Sequence, residues 1–178
     1  MNTRKEVRLY NLLFPIWLLL FIPSWLWLLL IPANYLLDRV VLRWSLGDLA
    51  EKGLFCRRHT WKICIAGFFA DFLGGALMVG LFVLSALTDT EAERPFMDDL
   101  VFAVGFNPFS HPAAFVFVLL AVALTGAVIF LLDRWILKRA GLAVEKAKHA
   151  ALMLAVITAP YLFFFPSALL YENGIIQF

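Results

Sequence analysis

Four long apolar runs, each bounded by charged residues, limit what this chain can fold into. They extend from Leu12 to Leu37, from Ile63 to Leu87, from Pro112 to Leu132 and from Ala150 to Leu170. A membrane crossing needs about 20 consecutive, mainly apolar residues, and each run supplies them. Composition agrees. Of the 178 residues, 63% are hydrophobic and 16% charged, whereas a water-soluble domain is roughly half apolar and about a quarter charged. A domain of this size leaves much of its surface outside its own core. The expected solvent is therefore lipid. The runs are continuous and lack the strict alternation of transmembrane β-strands. Helices remain, because lipid offers the backbone no hydrogen-bond partner. The expectation is an all-α integral membrane protein, one polytopic domain over residues 1–178 with four transmembrane helices.

Charge in the connections sets the orientation. Residues 38–62 carry Arg39, Arg43, Lys52, Arg57, Arg58 and Lys62, and residues 133–149 carry Arg134, Lys138, Arg139, Lys146 and Lys148. Residues 88–111 hold Arg94 against Asp89, Glu91, Glu93, Asp98 and Asp99. The two basic loops are expected in the cytoplasm, and the acidic loop outside. The first run is too long for a signal-peptide core and lacks a small-x-small cleavage site, so it reads as a retained anchor. Its apolar character continues through "VVLRWSL" for about 35 residues, or about 50 Å as helix, beyond a hydrocarbon core of about 30 Å. Pro15, Pro23 and Pro32 interrupt it. One long, kinked, tilted helix is expected. That topology leaves Arg4, Lys5 and Arg8 outside, against the charge rule. A re-entrant hairpin broken near Pro23–Ser24 is the alternative.

Two segments resemble each other. "YLLDRVVLRWSL" (residues 35–46) and "FLLDRWILKRAGL" (residues 130–142) share LLDR, two apolar residues, Leu and a base. Each follows an apolar run and precedes a basic segment and a second run. This suggests two parallel two-helix repeats, related by an axis along the membrane normal. An arginine near a helix C-terminus suits the helix dipole, whereas Asp38 and Asp133 gain nothing from it.

Asp71 stands near mid-bilayer in the second run, about 13 Å from its cytoplasmic end. Ionised carboxylates at that depth cost about 2.5–3.5 kcal/mol on insertion scales and commonly mark ion or proton pathways. Thr125, Thr158 and Tyr161 are the candidate polar companions of Asp71 at comparable depth. Pro160, in "TAPY", is expected to free the Val156 carbonyl as an acceptor or cation ligand. Gly67, Gly74 and Gly75 share a helix face with Asp71 and are expected at a helix–helix contact, as are Ala151, Ala155 and Ala159 on the fourth run. In the plainer reading, Asp71 only hydrogen-bonds a neighbouring helix and fixes packing.

The segment "RPFMDDLVFAVGFNPFSHP" (residues 94–112) is expected to form a short interfacial helix with Asp98 and Asp99 toward water. His111 reads as a capping or surface residue. Cys56, His59 and Cys64 are too scattered for a zinc site, and no metal or cofactor is expected. No Walker loop, HExxH or GxSxG occurs, so an enzyme is not expected. A formal charge of +2, with no aromatic-interleaved basic run, argues against nucleic acid. The expected partners are the lipid bilayer and further copies of the chain or another membrane protein. Two functions fit: a small oligomeric transporter or channel unit built around the intramembrane carboxylate, or a non-conducting scaffold or accessory subunit. Short loops and small size suggest a bacterial inner membrane, the chain being a multi-pass protein of the cell membrane.

Overall fold

Helices form over the apolar runs and extend beyond them into the basic segments. The computed structural model describes residues 15–22, 24–49, 51–88 and 94–169. Arg4, Lys5 and Arg8, Pro23, the acids Asp89, Glu91 and Glu93, and the tail from Leu170 lie outside the described residues. Among the described residues there are five α-helices and no strand: α1 (Trp27–Ser45), α2 (Lys52–Ala86), α3 (Arg94–Phe106), α4 (Pro112–Arg139) and α5 (Val144–Ile157). Among the described residues, three helical segments are long and apolar enough to cross a membrane: α2, α4, and Val144–Phe164, which begins with α5.

The basic loops are shorter than the charge pattern suggests. Residues 46–51 join α1 to α2, and residues 140–143 join α4 to α5. Most of the cationic side chains ride on helix ends, where Lys and Arg keep their heads in water while their stems lie along the helix. Both α1 and α4 stop at a left-handed glycine, Gly47 (φ 53°) and Gly141 (φ 88°). At the end of α4 the Leu142 N–H reaches back to the Leu137 carbonyl at 3.2 Å. This is a Schellman closure, which satisfies a carbonyl the helix would leave bare.

The first apolar run is not one helix. A 3-10 turn, Ile16–Leu20, is followed by a turn at Phe21 and then by α1. A proline stands in sequence between them, and proline cannot supply the N–H that a continuous helix needs. The pieces nevertheless advance along α2 in one direction. Trp17 meets Phe82 edge-on at 5.9 Å, Phe21 meets Phe72 at 4.4 Å, and Trp27 stacks on Phe68 at 6.2 Å. Further on, Asp38 of α1 and Cys64 of α2 line the same cavity. A hairpin doubling back near Pro23 would not produce this order.

Packing closes a four-sided ring. α1 lies against α2, α2 against α4, α4 against α5, and α5 against α1. The core has two large parts. One holds Trp17, Met78, Leu81, Val104, Val118 and Phe163; the other holds Leu42, Ile63, Leu137, Ala147, Ala151 and Leu154. Between them is a thin waist of Ala70, Ile129 and Ala155. α3 buries Leu100, Ala103 and Val104 against α2 and α4 while Asp98 and Asp99 stay exposed. This is the amphipathic helix expected from its sequence.

The seam between α2 and α4 is set by Gly74. A Cβ there would collide with the Thr125 hydroxyl and stand 2.9 Å from Phe163. Gly75 is similarly closed by the Phe21 ring, whereas a Cβ on Gly80 meets nothing within 4 Å. Gly74→Val should therefore cost about 1–3 kcal/mol through overpacking, read as a lower midpoint in thermal unfolding in detergent. Gly80→Val should leave that midpoint close to wild type.

Candidate functional site

The site begins with a break in the last long helical segment. Proline at position 160 has no N–H and its ring excludes the carbonyl four residues back, and the residue before a proline avoids helical geometry. α5 accordingly ends at Ile157, and a 3-10 turn, Tyr161–Phe164, follows after Thr158, Ala159 and Pro160. The freed polar groups are largely collected locally. The Thr158 N–H and hydroxyl both donate to the Leu154 carbonyl, at 2.8 and 2.9 Å. The Tyr161 hydroxyl donates to the Val156 carbonyl. Pro160 thus exposes the carbonyl that the sequence indicates, and Tyr161 claims it.

Beside this break lies a cavity of about 380 Å³. Its walls come from the Ile16–Leu20 turn, α1, α2 and the α5 break. Most of the lining is aliphatic or aromatic. The polar side chains are Asn34 and Asp38 from α1, Cys64 and Asp71 from α2, and Thr158 and Tyr161 from the break. None of the lining side chains is Lys, Arg or His. Oδ1 of Asp71 is buried and makes no hydrogen bond. Gly67 opens the wall one turn before Asp71, since a Cβ there would meet nothing within 4 Å.

Among the residues that sequence reasoning selected, the cavity gathers Asp71, Thr158, Tyr161, Gly67 and Ala159. Thr125 does not line it. It is buried in the α2–α4 seam and donates to the Ala121 carbonyl at 2.9 Å. Gly74 and Gly75 are buried at close contacts away from the cavity wall. Ala151 and Ala155 are buried in the core, and a Cβ on Gly126 of α4 would come within 3.7 Å of the Ala155 carbonyl oxygen. His111 occupies the position before α4, but its side chain makes no capping bond; its ring meets Phe96 edge-on at 5.6 Å. Cys56, His59 and Cys64 all lie within α2 rather than in a loop, and both thiols are buried.

Two further buried carboxylates belong beside Asp71 that the apolar-run pattern does not single out. Asp38 and Asp133 are expected at span ends, yet α1 and α4 continue past them and both are buried, Asp133 at 1% exposure. Neither oxygen of Asp133 has a hydrogen-bond partner. Asp38 lies within electrostatic reach of both Asp71 and Asp133. The available signal was the acid of the repeated LLDR, a residue ill-suited to the C-terminal turns of a helix. Comparison with protein-family models, curated proteins and solved structures gives no match.

The Tyr161–Val156 bond is testable. Tyr161→Phe removes the hydroxyl but keeps the ring, and leaves the Val156 carbonyl without that donor. The expected cost is about 1–2 kcal/mol, seen as faster amide exchange across residues 154–162 with little change at the α2–α4 seam.

Proposed function

We propose that this chain is a multi-pass membrane transport unit in which the cavity at Asp71 is the site of an ion or proton in transit. The observation that carries this reading is the unbonded Oδ1 of Asp71 at a cavity wall with no cationic side chain. A carboxylate retained only to fix packing needs a donor on the facing helix. A carboxylate that binds a travelling cation or proton must be left free to do so. The helix break supports the same reading, since irregular backbone at membrane depth is tolerated where it lines a cavity.

The chain then crosses the bilayer four times. The fourth crossing is the broken first run, and the ordered contacts of Trp17, Phe21 and Trp27 along α2 support it. The ring order supports two parallel repeats. Repeat partners α1 and α4 occupy one diagonal, and α2 and α5 the other, as a two-fold axis through the centre requires. Burial repeats as well. Asp38 and Asp133 are buried, as are Leu42 and Leu137 one turn later, while Val40 and Trp135 are exposed. The apolar surface at the start of α1 and in the turn before it, with Leu28 78% and Trp25 87% exposed, suits lipid or a second copy. Association of copies would extend one chain's cavity into a continuous path. A bacterial inner membrane is the proposed location, and no catalytic chemistry is invoked.

Two measurements test this. Asp48→Cys and Lys146→Cys should react with a membrane-impermeant maleimide from one side of intact vesicles, and Asp98→Cys from the other. Labelling of residues 48 and 146 from opposite sides would reject the topology. In proteoliposomes under an imposed potential, wild-type protein should carry protons or monovalent cations, and Asp71→Asn should reduce that flux about tenfold or more, as loss of an essential charge pair does. Absence of wild-type flux, or an unchanged rate in Asp71→Asn, would favour the non-conducting scaffold.

A further inference from the structure

We infer that the Asp71 cavity binds an amphipathic organic monocation, an apolar body carrying one delocalised or alkylated positive charge. The inference specifies the ligand of the site proposed above and rests on that reading for its role in transport, though binding can be measured without it.

Three features of the cavity select this class. Its volume of about 380 Å³ falls in the range of about 300–1,000 Å³ that holds drug-sized molecules. Its wall is mostly apolar, and includes Leu26, Leu30, Phe68 and Leu162. Its charge is of one sign, since the ionisable groups on the wall are two carboxylic acids, a thiol and a phenol. A bare divalent metal fits poorly. Hard cations take six or more oxygens, and no three His, Cys, Asp or Glu side chains among the described residues converge as a metal site. A neutral acyl chain would fill the apolar wall and leave Asp71 without a partner. An organic cation satisfies both. Its apolar groups replace lipid or water along the leucines and its charge meets Asp71, with Phe68, Tyr161 and Phe163 also on the wall.

Binding of such a cation competes with a proton, because Asp71 can hold one or the other. The titratable groups that face Asp71 are Asp38 from α1, Cys64 from its own helix and Tyr161 from the turn after the break. The Ile16–Leu20 turn brings none. Asp133 of α4 does not line the cavity but reaches Asp38 electrostatically. Of these groups the carboxylates are the ones that lose negative charge on acidification, which weakens cation binding.

The test uses purified full-length protein in detergent, with tetraphenylphosphonium as ligand and neutral triphenylphosphine oxide as competitor. Saturable phosphonium binding is expected, weaker at acid pH and resistant to the neutral competitor. Asp71→Asn should weaken it about tenfold or more, the scale of a desolvated charge pair. Gly67→Leu puts a side chain into the open wall without touching charge, and should weaken binding to a similar degree. Monodisperse elution identifies folded variants. If Asp71→Asn does not fold, Gly67→Leu and the pH series decide. Absence of saturable binding by folded wild type, equal displacement by the neutral oxide, or wild-type affinity in Gly67→Leu would each overturn the inference. Ion flux without phosphonium binding would remove this ligand class and leave the transport reading standing. Phosphonium binding without flux would do the reverse.

Discussion

Inside lipid, every peptide group that leaves a helix must find a partner within the protein, because the solvent supplies none. Much of this molecule follows from where that rule is met with regular helix and where it is met otherwise. Over α2 and α4 the ladder is continuous and the side chains are left to pack. At Thr158–Pro160 it is not, and the Thr158 and Tyr161 hydroxyls close the gap by bonding to Leu154 and Val156. The same interruption that costs a turn of helix holds that stretch of chain away from α1 and α2. The cavity occupies the space between them.

The waist of the molecule sits beside this space. Ala70, Ile129 and Ala155 give little bulk between two larger apolar cores, and Asp71 follows Ala70 directly. Small residues let the helices approach closely there, and the acids gather on the inner surface so formed. Asp38 lines the cavity together with Cys64, whereas Asp133 is enclosed with both oxygens unpaired. Burial of an unpaired polar group is costly, so the arrangement is hard to account for by stability alone.

Much of the architecture was legible from sequence because lipid imposes a strong constraint on length and polarity. The apolar runs marked α2 and α4, and Arg94–Pro112 showed its amphipathic helix. Pro160 announced the break before Tyr161. Other features depended on tertiary contacts that no local pattern encodes. The charge-rich stretches after Leu37 and Leu132 looked like loops, since charges normally end a span; two left-handed glycines, at 47 and 141, end the helices later. Thr125 had the right depth but the wrong face, because Gly74 draws α2 against it. Asp38 and Asp133 were visible as a repeat, but their convergence needed the diagonal placement of α1 and α4.

The indoles show how such a molecule would sit in membranes of different thickness. Trp44, Trp61 and Trp135 are exposed on the parts of α1, α2 and α4 that carry the basic residues, and Arg139 lies 4.1 Å from the Trp135 ring centre. Indole N–H groups and guanidinium anchor to headgroups. The opposite end presents Phe96, Phe102 and Phe109, rings with no donor to hold them at that boundary. In a bilayer, hydrophobic mismatch would then be taken up asymmetrically. The end with the exposed tryptophans would stay in register with its leaflet, and the phenylalanine end would ride up or down as the bilayer thins or thickens.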